Sequence, residues 1–134
     1  MIEKVIPALE LGKAVLCDRF VDSSLVYQGY ARGLGVDEIY NLNLFATDGL
    51  LPDKTFWLDV DPEVGIARIN ANKDREINRL DLESINFHKK VQEGYQLLYK
   101  RFPERIIRID ANRALSEVID QTLAVLCTLF HEEG

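Results

Sequence analysis

Eleven residues, Asp18 to Gln28 (DRFVDSSLVYQ), gather two acids, a guanidinium, two hydroxyls, a phenol and a carboxamide into one short stretch. A guanidinium fork suits the paired oxygens of a phosphate or carboxylate, and a carboxamide offers one donor and one acceptor edge. Ser24, Tyr27 and Gln28 stand at i, i+3 and i+4, so on a helix they share one face, and Arg19 lies just ahead of them. That spacing predicts a polar pocket wall. The same residues also describe a solvated, serine-capped helix following a strand, and composition alone leaves both readings open.

Such a wall needs elements to hold it. Ala14 to Cys17 is a short apolar run bounded by Lys13 and Asp18, which predicts a strand over 13–17, with a helix beginning near Ser23 and Ser24 and running through Ala31. Ahead of it, Ile2, Val5, Ile6 and Leu9 predict a helix over 2–11 that Gly12 stops. Behind it, Gly33 and Gly35 mark a loop, and Asp37 is expected to cap a helix to about Asp48 that Gly49 closes. Lys54 to Val60 reads as a strand buried on both faces, with Trp57 and Phe56 in the core, and Asp61 with Pro62 reads as N-cap and N1 of a helix to about Ala71. Residues 72–83 are polar and charged. Phe87, Val91, Tyr95 and Leu98 then recur at helical spacing to Arg101, with Pro103 beyond, and Ile106, Ile107 and Ile109 form a strand ending at Asp110. Leu115 to about Phe130 is a final helix with Leu115, Val118, Ile119, Leu123, Leu126 and Phe130 as its inner face. This alternation predicts an α/β fold with a parallel sheet and helices on both faces. Ligands of such sheets gather beyond the carboxyl ends of the strands, where Asp18 with Arg19, Asp59 with Asp61, and Asp110 with Asn112 are expected to line one cleft.

Composition narrows the ligand. At 134 residues, 47% hydrophobic and 28% charged, the chain fits one globular domain. A net charge of −6 argues against a general partner of nucleic-acid polymers, so an anionic ligand should be small. Cys17 and Cys127 show no metal spacing and read as reduced core thiols, and the chain shows neither a leader nor an apolar run long enough to span a membrane. A cytoplasmic protein is the expectation.

Arg68, Lys73, Arg75 and Arg79 cluster in and before the polar segment. Phosphoryl transfer needs cations around the transferring group, whose transition state spreads negative charge over three oxygens. Interleaved Asp74, Glu76, Asp81 and Glu83 describe a balanced solvated segment equally well. His88 reads as a surface histidine, Asp59 and Asp61 as caps, and Lys54 carries no assigned role.

Together these stretches resemble the bacterial thymidylate kinase family. DRFVDSSLVYQG matches the family motif DR(Y/F/H)xxSSxxYQG, with Phe20 in the aromatic slot, and the likeness continues through YARGLG, FWLDVDPE, RLD before Phe87 and His88, VQEGY and the IDA turn. The resemblance implies a P-loop-type three-layer α/β domain, a lid over 72–83, and transfer of the ATP γ-phosphoryl group to deoxythymidine monophosphate (dTMP). It implies that Arg19 holds the monophosphate, that Ser24 and Gln28 hydrogen-bond the thymine edge, and that Tyr27 lies beside the sugar. Arg75 and Arg79 become lid arginines reaching the ATP phosphates, with Asp18, Arg19, Arg75 and Arg79 as the catalytic set. Asp110, Ala111 and Asn112 become the turn beside adenine, and Asp18 assists a magnesium site through water. A homodimer is implied, built through the helix over 2–11. A related deoxynucleoside kinase is disfavoured by SSLVYQG.

One departure stands out: the chain contains no GxxxxGK(S/T). The family cradles ATP phosphates with that loop. The expectation is a C-terminal portion of the family's fold, 1–134 forming a single partial domain that lacks the first strands, a further arginine and a phenylalanine that stacks on thymine. The alternative is a non-catalytic module that binds dTMP without using ATP.

Overall fold

Helical apolar spacing and well-placed breakers carry most of the secondary structure into the fold, described here over residues 2–71 and 79–133 of a computed structural model. The chain divides into two compact units, residues 1–52 and 53–134.

In the first unit, α1 spans Ile2–Glu10, and Gly12, at φ 78°, turns the chain out of it. The segment 13–17 is irregular and not the strand expected of it, with Leu16 84% exposed. Strand hydrogen bonds come from a neighbour, and no strand lies beside this run among the described residues of the unit. Helix α2, Val21–Ser24, continues directly into a π-helical segment, Leu25–Ala31, and α3 spans Val36–Ala46. Ser23 and Ser24 therefore lie in the last turn of α2, and no side-chain capping bond forms at either junction. Gly35, at φ 95°, takes the N-cap place expected of Asp37, leaving Asp37 and Glu38 in the first turn, where acids suit the helix dipole. Val5, Val21, Leu25 and Val26 form the core of this unit, which also buries Asp22.

In the second unit, β1 (Thr55–Asp59) and β2 (Ile106–Asp110) pair in parallel, in register from Thr55 with Ile106 to Asp59 with Asp110. Helices α4 (Pro62–Ala71) and α5 (Arg79–Arg101) come between them in sequence, and α6 (Leu115–Glu133) follows. Asp61 accepts the first bond of α4 from the Gly65 N–H, as the Asp–Pro start predicts. Trp57, Ile66, Val91, Leu98, Ile106 and Ile109 are buried, and the Trp57 indole stacks on Tyr95 at 5.6 Å between ring centroids.

Three apolar expectations are corrected. Strand β1 alternates rather than being buried on both faces, with Leu58 54% exposed. The face of α6 expected to lie inward leaves Leu115, Ile119, Leu123 and Phe130 exposed. Cys17 and Cys127 are both exposed free thiols, not core groups. Apolar periodicity shows which residues share a face but not whether anything covers that face.

Asp59 closes β1 as more than a cap. It is buried; its Oδ2 accepts from Arg108 Nε at 2.7 Å and its Oδ1 from Gln92 Nε2 at 3.0 Å, tying β2 and α5 to β1. The Arg108 side chain is 45% exposed and can rehydrate once Asp59 is removed. Asp59→Ala is therefore expected to cost only about 1–2 kcal/mol, and Asp59→Asn less, read from the midpoint of denaturant unfolding. An unmoved midpoint for the alanine variant would show that the pair contributes nothing.

Candidate functional site

The change from α- to π-helical bonding at Leu25 widens the turn just where the polar residues sit. A π-helical stretch bonds i to i+5 and is a recurrent feature of functional sites. Tyr27 and Gln28 from this stretch and Ser24 from the end of α2 reach the lining of one cavity of about 830 Å³, and Arg19, Phe20 and Ser23 join them. The volume falls within the roughly 300–1,000 Å³ of small-molecule clefts. The expected pocket wall is therefore present, on a wider helix than the spacing assumed.

Arg19 enters this wall from the bend before α2, with φ 62°. Its guanidinium carbon lies 4.2 Å from the centroid of the Tyr27 ring, and no carboxylate pairs with it among the described residues. A forked cation that faces a cavity without a paired acid can receive a bidentate anion. Asp18, also in the bend, is exposed and is not among the lining residues.

Several lining residues escape the sequence pattern. Glu3 comes from α1, Arg32 follows the π-helical segment, and Asn43, Ala46 and Thr47 come from α3 and its end. Asn43 and Thr47 are spaced i, i+4, and Thr47 is 6% exposed, its hydroxyl 2.8 Å from the Asn43 carbonyl and 2.9 Å from that of Leu50. Polar residues at helical spacing inside an otherwise apolar face were the available signal.

The second unit brings two of the strand exits together. Ala111 N–H donates to the Asp59 carbonyl at 2.8 Å, and Asp61 N–H donates to Asn112 Oδ1 at 2.8 Å. Asp110 Oδ1 accepts from Asn112 N–H at 3.1 Å, and that bond, with Arg113 and Arg108 nearby, holds its carboxyl below the ordinary aspartate value. Arg68 follows neither of the two readings left open for it, anion-seeking cation or solvated charge. Its guanidinium donates to the carbonyls of Ala111 at 2.7 Å, Asn112 at 3.0 Å and Arg113 at 3.1 Å, clamping the turn that follows β2. Lys54 donates to the Glu104 carbonyl at 2.6 Å, and His88 meets Phe87 edge-on. Arg75 lies outside the described residues, as does most of the segment expected to form a lid; Arg79 opens α5, and its side chain is likewise outside the description. Among the described residues, no group of three or more His, Cys, Asp or Glu side chains converges as a metal site, and no helix is long and apolar enough to cross a membrane.

The parallel strand pair and helices of the second unit define an α/β protein, and the first unit separately holds a polar cavity with a guanidinium in its lining. A family model described as thymidylate kinase matches residues 1–122, and the chain belongs to that family. It is 57% identical over 126 residues to a thymidylate kinase of Geobacillus thermodenitrificans, covering 94% of this chain and 56% of that one. To the thymidylate kinase of Oceanobacillus iheyensis it is 55% identical over 133 residues, covering 99% of this chain and 59% of the relative. The crystal structure of thymidylate kinase from Ehrlichia chaffeensis superposes with a TM-score of 0.66 at 30% identity, covering 93% of this chain and 55% of that one. The chain thus spans little more than half the length of these relatives.

Proposed function

We propose that this chain carries the acceptor side of a thymidylate kinase, the part that binds dTMP for transfer of the ATP γ-phosphoryl group to its phosphate, giving the diphosphate. The observation that carries this reading is Arg19, a guanidinium with no paired carboxylate among the described residues, in the wall of a cavity that Ser24, Tyr27 and Gln28 also line. In the reaction Arg19 holds the acceptor phosphate and offsets its charge, so that two anions can approach. Gln28, with a donor and an acceptor on one amide, reads the thymine imide edge together with Ser24, and Tyr27 lies on the sugar side.

On the donor side, Asp110, Ala111 and Asn112 are assigned to the turn beside adenine, and Arg75 and Arg79 to the ATP phosphates. The bonds from Arg68 and Asp61 support this assignment by giving the turn a set shape. Magnesium fits the residues in one way. The exposed carboxylate of Asp18 suits an ion that keeps its own water, whereas a dedicated protein cage would need more ligands than converge among the described residues. Bound there, the ion would neutralise phosphate charge. The larger fold is assigned to the P-loop-type three-layer class. Family membership supports a homodimer working in the cytoplasm in the synthesis of deoxythymidine triphosphate.

Titration calorimetry of the chain with dTMP and with thymidine tests the acceptor site. Preferential binding of the monophosphate is expected, and equal affinity for the two would overturn the reading. For the full-length protein, dTMP with ATP and magnesium should yield the diphosphate; monophosphate binding without product would favour a non-catalytic module instead.

A further inference from the structure

Arg19 presents an unusual combination. It is an arginine in the left-handed backbone region, at φ 62°, on an exposed bend, and among the described residues its guanidinium lies over an aromatic face with no ion-pair partner. A non-glycine residue keeps such a backbone conformation only where its surroundings hold it there. An exposed arginine on a bend would otherwise spread over many rotamers and face the cavity only part of the time.

Resting on the acceptor-site reading, we propose that Tyr27 is the positioning residue of Arg19, its ring holding the guanidinium against the cavity wall in the orientation that receives the phosphate. The choice of partner matters chemically. A carboxylate at this place would also orient the arginine, but it would take up the N–H donors and cancel the charge that an anion needs. A ring face attracts the cation through its quadrupole and consumes no donor. Orientation is gained while the charge stays available. Tyr27 lies within the π-helical segment and lines the same cavity as Ser24 and Gln28. The ring thus links the π-helical segment to the cation eight positions before Tyr27.

The quantity that reports this role is the phosphate increment, the ratio of thymidine to dTMP dissociation constants measured by calorimetry on the chain. Tyr27→Leu should reduce that ratio about 5-fold, the size of a partly exposed cation–π contact, while Tyr27→Phe should preserve it. In an Arg19→Ala background, Tyr27→Leu should change the ratio no further, because the interaction it removes is already gone. If Tyr27→Leu weakens both ligands equally, Tyr27 acts through shape alone and the proposal falls. It falls equally if the phenylalanine variant loses as much as the leucine variant, since the hydroxyl would then carry the effect. A wild-type chain that prefers dTMP, together with a Tyr27→Leu ratio that does not move, removes the positioning role and leaves the acceptor site standing. A wild-type chain with no preference removes both.

Discussion

Arg19→Ala is expected to weaken dTMP binding by about 100-fold while leaving thymidine affinity unchanged. A guanidinium fork makes two charge-assisted hydrogen bonds to a phosphate, each worth roughly 1.5–3 kcal/mol, and water recovers part of that once the arginine is gone. A remaining loss of about 2.7 kcal/mol corresponds to two decades in the dissociation constant. Arg19→Lys should fall between, because lysine keeps the charge and loses the fork. Calorimetry with both ligands decides the matter. Equal weakening of nucleoside and nucleotide would mean that the variant has damaged the cavity, and an unchanged dTMP constant would remove Arg19 from phosphate binding altogether.

Gly29→Val is expected to destabilise the first unit by about 3 kcal/mol or more. Gly29 is buried in the π-helical segment, where a Cβ would lie 3.0 Å from the Val36 Cα and 3.1 Å from the Gly35 carbonyl oxygen. Both neighbours are backbone, so neither can rotate aside as a side chain would. Relief requires α3 to move away from the π-helical segment, and with it Asn43, Ala46 and Thr47 from the cavity wall. The denaturant midpoint should drop sharply and dTMP binding should be lost with it. Gly29→Ala should follow the same course more mildly. A valine variant with an unshifted midpoint would show that the approach of α3 is looser than its geometry implies.

The second unit was far more legible than the first, and the reason is local. Helix α4 begins where Asp61 and Pro62 place it, α5 ends at Arg101 ahead of Pro103, and β2 ends at Asp110 after its run of isoleucines. Each of these boundaries depends on residues adjacent in the chain. The 13–17 run failed for the opposite reason. Its composition suits a strand, but the partner that would complete its hydrogen bonds lies nowhere among the described residues of its unit. Likewise α6 carries the periodicity of a packed helix while Leu115, Ile119, Leu123 and Phe130 stay exposed, because periodicity creates a face and only a neighbour buries it. Arg68 belongs to the same class. The sequence left it open between an anion-seeking cation and a solvated charge, and carbonyls 43 to 45 residues away claimed it.

For the stretch from Asp18 to Gln28, the sequence alone determined which chemical groups were available and that Ser24, Tyr27 and Gln28 would share a surface, since side-chain type and helical period are properties of the local chain. It also carried the family, through motifs in order from DRFVDSSLVYQG onward. Tertiary structure decided the rest. It opened the helix into a π-helical turn, brought Glu3, Asn43 and Thr47 to the same cavity, and laid the Arg19 guanidinium on the Tyr27 ring. Those outcomes depend on which elements come to lie against one another, and contacts between distant parts of a chain are selected by the packing of the whole unit rather than by the order of its residues.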